Sequence, residues 1–319
     1  MQFFRVPAAA LALVGRHGTL VVAASLFVGL SVPGLAAYCK PLLGPAIVVM
    51  LTLAFLRVDP AELRHHFRRP GLIAAAAIWV MLVLPAALGA LFLVTGLDER
   101  MPGLYFMLVL QAAAPGLTSA PALAAIIGFD VALTLASLIV CMALTPLTAT
   151  LFTHVFLGSA LASPFAFGLK LFFLIAGSAL AAAVIRRLAG RAAIESQRLA
   201  IDGLSVLAMF LFAVAAMDGV TDHARSEPLL VAGLLLLAFV LALGQMAVTA
   251  LVFARAGRGR AFAIGLIAGN RNIGLMLAAT GFQVPDVAWL FFGLAQFPIY
   301  LLPHLLKPLA KRLRQPVMD

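Results

Sequence analysis

Charge is what this sequence has least of. Only 11% of its residues are Asp, Glu, Lys or Arg, against roughly a quarter in a soluble domain, while 64% are hydrophobic and the mean hydropathy is +1.12. The 22 basic and 12 acidic side chains cannot cover a water-facing surface on 319 residues. A soluble enzyme, a nucleic-acid binder and a disordered chain are thereby excluded. Cysteine is scarce as well. Cys39 and Cys141, both in apolar surroundings, form neither a disulfide framework nor a metal cluster. There is no HExxH helix, no GxSxG elbow, no pair of intramembrane aspartates and no Walker A sequence. Asp202 and Asp218 bracket one apolar run too far apart to form a catalytic pair, so neither enzymatic chemistry nor ATP-driven transport is expected.

What is present is long apolar runs. A membrane-crossing helix needs about 20 mostly apolar residues, and ten such runs lie near 18–37, 41–57, 71–96, 102–127, 131–157, 164–186, 201–218, 228–254, 261–281 and 285–306. The residues before Gly18 imitate a signal peptide without a clean cleavage site and read as an interfacial or uncleaved helix. Placed on a ten-span topology, Arg5, Arg16, Arg57, Arg64, Arg68, Arg69, Arg186, Arg187, Arg191, Arg198, Arg255, Arg258, Arg260, Lys307, Lys311, Arg312 and Arg314 fall on one side, and Lys40, Arg100 and Arg225 on the other. That asymmetry predicts both termini in the cytoplasm, and the localisation expected is a multi-pass protein of a bacterial inner (cell) membrane. The formal charge of +10 is then a matter of orientation and implies no nucleic-acid partner. The expected partners are the bilayer and a small substrate, with the oligomeric state open.

Five runs in each half would insert the halves 1–157 and 158–319 in opposite orientations, the arrangement of inverted-repeat transporters. The fold class expected is thus an all-α polytopic membrane protein with ten transmembrane helices in two inverted five-helix repeats and broken crossing helices 4 and 9. The fourth run is interrupted by Pro115-Gly116-Leu117-Thr118-Ser119-Ala120-Pro121, and the ninth by Gly269-Asn270-Arg271-Asn272-Ile273-Gly274. Proline removes a helical hydrogen bond, and unwound backbone in the hydrocarbon must face protein or a wet cavity. The candidate substrate-binding or crossover residues are therefore Arg271, Asn270, Asn272, Thr118, Ser119, Pro115, Pro121 and Gly269.

At these motifs the sequence resembles the bile acid:sodium symporter family. Arg57-Val58-Asp59-Pro60-Ala61-Glu62-Leu63-Arg64 up to Phe67-Arg68-Arg69-Pro70 is similar to its link between spans two and three. Ala114-Pro115-Gly116-Leu117-Thr118 followed by Asp130-Val131-Ala132-Leu133-Thr134, then Phe167-Gly168-Leu169-Lys170, and finally Gly269-Asn270-Arg271-Asn272-Ile273-Gly274-Leu275 continue the likeness in order. The resemblance implies a panel domain (spans 1, 2, 6 and 7), a core domain (spans 3 to 5 and 8 to 10) and transport of an organic anion by alternating access. An auxin-efflux-type carrier of similar design, or a transporter-fold receptor or sensor, are the alternatives. The short tail after residue 306 speaks against a sensor, which usually carries a signalling domain.

The departures concern sodium. Positions where the family supplies oxygen ligands carry Val80, Ala120, Pro121, Ile267 and Arg271, and two further hydroxyl positions fall near Leu138 and Cys141, with Ser137 and Thr145 close enough to supply them after a slip in alignment. Sodium sites are expected to be absent, no other cofactor is implied, and coupling to protons stays open. Arg271 stands as a tethered cation, or contacts the anion, or bonds carbonyls where the fourth span breaks. Gln111 and Gln245 read as glue between helices, and Lys170 as a snorkelling residue. His65, His66, His154 and His304 read as interfacial or solvated.

Overall fold

The structure, a computed structural model, describes residue 11 and residues 18–58 and 70–314. The expected N-terminal helix and the basic linker around Arg64, His65 and His66 lie outside the described residues, as does the His304 side chain. Every regular element among the described residues is helical. The helices are α1 (Gly18–Ser31), α2 (Pro33–Arg57, tightened to a 3-10 turn at Lys40–Leu42), α3 (Pro70–Val94, widened to a π turn at Trp79–Val83), α4 (Pro102–Ala113) and α5 (Ala120–Ile127). There follow α6 (Val131–Leu157), α7 (Pro164–Ala189), α8 (Arg198–Ala216), α9 (Pro228–Val252), α10 (Arg258–Gly269), α11 (Ile273–Thr280) and α12 (Asp286–Arg314).

Six stretches are long and apolar enough to cross a membrane: α2, α3, α6, α7, Arg198–Ser226 and α9. Their most apolar windows are only 22–50% buried. Side chains such as Leu229, Val94 and Leu188 stand more than four-fifths exposed, which water would penalise and lipid tails do not. The chain is a polytopic all-α membrane protein.

The first turn falls elsewhere than the charge pattern suggests. The expected boundary lay near Lys40, but the helix breaks at Val32 and α2 runs unbroken past Lys40. Proline starts a helix readily, because its missing N–H has no partner to lose there, and it drives the preceding residue out of the helical region. Val32 accordingly has φ −128° and ψ 73° ahead of Pro33.

Two compact units partition the chain, one from Met1–Asp59 with Phe173–Val231, the other from Pro60–Phe172 with Ala232–Asp319. In the first, α8 packs along α1 and α2. Polar contacts reinforce that packing: Lys40 Nζ lies 2.8 Å from Asp218, Arg57 bonds Asp202 at 2.9 Å and Ser205 at 2.7 Å, and Thr221 donates to the Leu30 carbonyl at 2.8 Å. In the second unit α4 is buried on every side from Leu104 to Ala113, as expected of a helix apolar all round. It is surrounded by α3, α6, α11 and α12.

Gly29 marks a close approach in the first unit. A Cβ there would sit 2.8 Å from Met217 Cβ and 2.9 Å from the Val214 carbonyl, whereas one at Gly34 meets nothing within 4 Å. Gly29→Ala is expected to destabilise by about 1–3 kcal/mol, the usual cost of overpacking. Gly34→Ala should leave the thermal midpoint in detergent unchanged or slightly higher.

Candidate functional site

Both interrupted segments lie in the second unit, and their backbones meet. α4 ends because Ala114 precedes Pro115 and is extended (φ −68°, ψ 147°). α10 ends where Asn270 becomes extended (φ −110°, ψ 93°). Gly116 and Arg271 then form an antiparallel bridge. Leu117 N–H donates to the Asn270 carbonyl at 2.7 Å and Asn272 N–H to the Pro115 carbonyl at 2.8 Å. Backbone groups that the helices no longer satisfy thus satisfy each other, as burial demands. Asn272 also restarts the helix, its Oδ1 accepting from Leu275 N–H at 3.2 Å at the head of α11. Glycine is required at 116, because a Cβ would collide with the Ile267 side chain.

The bridge leaves carbonyls over, and Arg271 takes them. Its side chain is 1% exposed. Nε donates to the Ala268 carbonyl at 2.7 Å and to Gln245 Oε1 at 3.2 Å. Nη1 donates to the carbonyls of Ala114 at 2.8 Å and Val80 at 3.1 Å. Ala114 and Ala268 close the C-terminal ends of two half-helices, where the aligned peptide dipoles favour a positive charge. Val80 has a different history. Leu84 N–H bonds Trp79 across the π turn, and residue 85 is proline with no N–H to give, so the Val80 carbonyl lacks a donor from its own helix.

Magnitudes decide that this set is needed. Burying a guanidinium away from water is costly, about 2.5 kcal/mol or more even on membrane-insertion scales, and no carboxylate pairs with Arg271 among the described residues. Hydrogen bonds to a charged group return about 1.5–3 kcal/mol each. The Nε hydrogen, shared between two acceptors, and the two Nη1 hydrogens thus offset that cost without a counter-ion, while Nη2 stays unpartnered.

The surroundings are apolar. Val80, Ala120, Cys141 and Ile267, four positions at or near which the family resemblance expects sodium ligands, are each 0% exposed and belong to one buried cluster with Ile73, Leu133 and Ile264. α9 lies hard against α10, since a Cβ on Gly265 would come within 2.8 Å of the Met246 carbonyl and one on Gly269 within 2.5 Å of the Ala242 carbonyl. Small residues four apart permit that approach, and it brings Gln245 to Arg271.

The other expected residues divide by exposure. Asn270 is buried, its Nδ2 donating to the Leu266 carbonyl at 3.0 Å while Oδ1 has no partner. Arg271 Nη2 and Gln111 Oε1 are likewise buried and unpartnered. Pro115 is buried; Thr118, Ser119, Pro121 and Asn272 are half-buried, and the Ser119 hydroxyl does not cap α5. Lys170 is exposed on α7. Absent from the sequence-derived set are the Val80 carbonyl and Gln245 as a ligand of Arg271. Pro85 was the available signal for the former. Trp79, at the start of the π turn, donates from Nε1 to Thr249 Oγ1 at 2.9 Å, one turn beyond Gln245 on α9.

No protein-family model and no curated protein matches the chain. Among the described residues no group of three His, Cys, Asp or Glu could hold a metal ion. The crossing offers charge and hydrogen bonds.

Gly116→Ala is expected to lower the thermal midpoint in detergent clearly, through the clash with Ile267. Adding Ile267→Ala should recover part of the loss, so a double variant no more stable than Gly116→Ala would refute the packing account.

Proposed function

We propose that the chain is a secondary transporter or facilitator of a small organic anion, of the bile acid:sodium symporter type, working by alternating access without sodium sites. The observation that carries this reading is the bridge between two interrupted segments, one in each half of the sequence, held by a buried arginine. Crossed, broken helices bearing polar groups at membrane depth are the architecture of substrate sites in inverted-repeat carriers. The partition into Met1–Asp59 with Phe173–Val231 and Pro60–Phe172 with Ala232–Asp319 supports a panel and a core assembled from both halves. Ten spans complete the reading, with the interrupted pairs α4–α5 and α10–α11 as spans four and nine, α1 and α12 among the rest, and both termini in the cytoplasm.

Arg271 acts here as a tethered cation. Its Nε and Nη1 hold the crossing closed, and Nη2 is the remaining donor for an anion. The half-buried hydroxyls of Thr118 and Ser119 and the Asn272 side chain complete the polar lining.

Uptake of radiolabelled anions into proteoliposomes tests the role of Arg271. Arg271→Gln should lose tenfold or more of the initial rate at equal folded protein, measured by size exclusion, and its thermal midpoint should fall because three carbonyls lose a charged donor. Unchanged uptake at unchanged protein level would sink it. Orientation is tested by single cysteines placed on a Cys39→Ser background. Arg191→Cys should react with an impermeant maleimide only from the cytoplasmic side, and Asp222→Cys only from the opposite side.

A further inference from the structure

We propose that the anion crosses without any co-transported cation, so that each turnover of a monoanion moves one net negative charge and the membrane potential drives it together with the substrate gradient. This rests on the transporter reading above and concerns its energy coupling.

An ion couples to transport only through a site that fills and empties during the cycle. At the crossing, four acceptors that a hard cation would use, the carbonyls of Val80, Ala114 and Ala268 and Gln245 Oε1, already receive hydrogen bonds from Arg271, while Asn270 Oδ1 and the Ser137 hydroxyl on α6 are buried without a partner. The arginine cation is covalently attached and cannot leave. The side chains that line the same place, Val80, Ala120, Cys141 and Ile267, contribute no oxygen and are fully buried. A sodium ion arriving there would meet like charge and an apolar wall.

Protons fare no better. The helices that contact Arg271 or pack on its segment are α3, α4, α5, α6, α9, α10 and α11. Away from their ends, the titratable side chain they carry besides Arg271 is the Cys141 thiol; the Tyr105 phenol stands in the first turn of α4 and donates to the Phe156 carbonyl at 2.8 Å. Thiols and phenols hold their protons at neutral pH. The other titratable groups on these helices stand at ends: His154 near the close of α6, and Arg258 and Arg260 at the start of α10.

The carboxylates of the described residues follow the same rule. Asp98 and Glu99 lie on the short helix Leu97–Arg100, Asp130 caps α6 and faces Arg260 at 3.7 Å, and Asp286 opens α12. In the first unit Asp202 and Asp218 pair with Arg57 and Lys40, while Glu195, Asp222 and Glu227 stand exposed at helix ends. A proton carrier at membrane depth is therefore lacking among the described side chains, and the arginine supplies a charge that no gradient can remove.

The test uses the full chain in proteoliposomes with three probes: benzenesulfonate, glutarate and taurocholate. Potassium diffusion potentials set with valinomycin provide the drive, with sodium replaced by choline and the pH equal on both sides. Benzenesulfonate, if carried, should accumulate tenfold for each roughly 59 mV of inside-positive potential, the Nernst slope for one charge, and the dianion glutarate a hundredfold. Adding sodium should change neither rate nor extent, and trapped pyranine should report no co-moving protons. Sodium-dependent accumulation, or acidification that tracks uptake, would overturn the coupling proposal and leave the transporter reading intact. Failure of all three probes to accumulate or to exchange against themselves would overturn the transporter reading and this proposal with it.

Discussion

The second unit depends on one interaction: a guanidinium shared among carbonyls that no helix can serve. Breaking a helix inside a membrane exposes peptide oxygens to a medium without donors, and two such breaks brought together compound the problem. The antiparallel bridge between Gly116 and Arg271 removes part of it by backbone pairing alone. The remainder falls to the Arg271 side chain, which gathers the ends of α4 and α10 and the π turn of α3 onto one planar group and draws Gln245 in from α9. Arginine suits this better than lysine because its donors are fixed in a fork and need not be turned individually toward each acceptor.

The first unit manages charge differently. Its ion pairs, Lys40 with Asp218 and Arg57 with Asp202, are partly exposed, and each is worth about 1 kcal/mol or less. Cohesion there comes from apolar contact along α8, which lies close enough to α1 for Gly18 and Gly29 to touch Val206 and Met217. Charges are cheap at the periphery in one unit and indispensable at the centre of the other. That contrast makes the crossing the place where function is to be sought.

Much of this was legible in the residues. Membrane residence follows from composition, and the two interruptions follow from Pro115, Gly116 and the Gly269-Asn270 step, because proline and glycine act on the backbone locally. Arg271 was conspicuous as a charge in an apolar run. What it holds was not legible, since a carbonyl is present at every position and nothing in the code marks which one will be left without a donor. Val80 is such a case: its side chain announces packing, while its role comes from the oxygen that Pro85 leaves unserved. The turn at Val32 was misplaced for a related reason. Lys40 suggests a boundary by its charge, yet it reaches Asp218 from within a continuing helix, and Pro33 fixed the break by sterics instead.

The π turn of α3 also sets the phase of that helix. Ile73, Ala76 and Ala77 are buried before it, Val80 within it, and Pro85, Gly89 and Phe92 after it. Counted at an unbroken 100° per residue, Gly89 would lie about 160° around from Ile73 and Phe92 about 100°, well off the inward stripe. The surplus residue in the wide turn winds the second segment back by roughly 100°, so both segments bury the same side of α3. One extra residue thus frees a carbonyl for Arg271 and keeps Gly89 under the Phe156 ring, which binds the rotational setting of a whole helix to the chemistry at its midpoint.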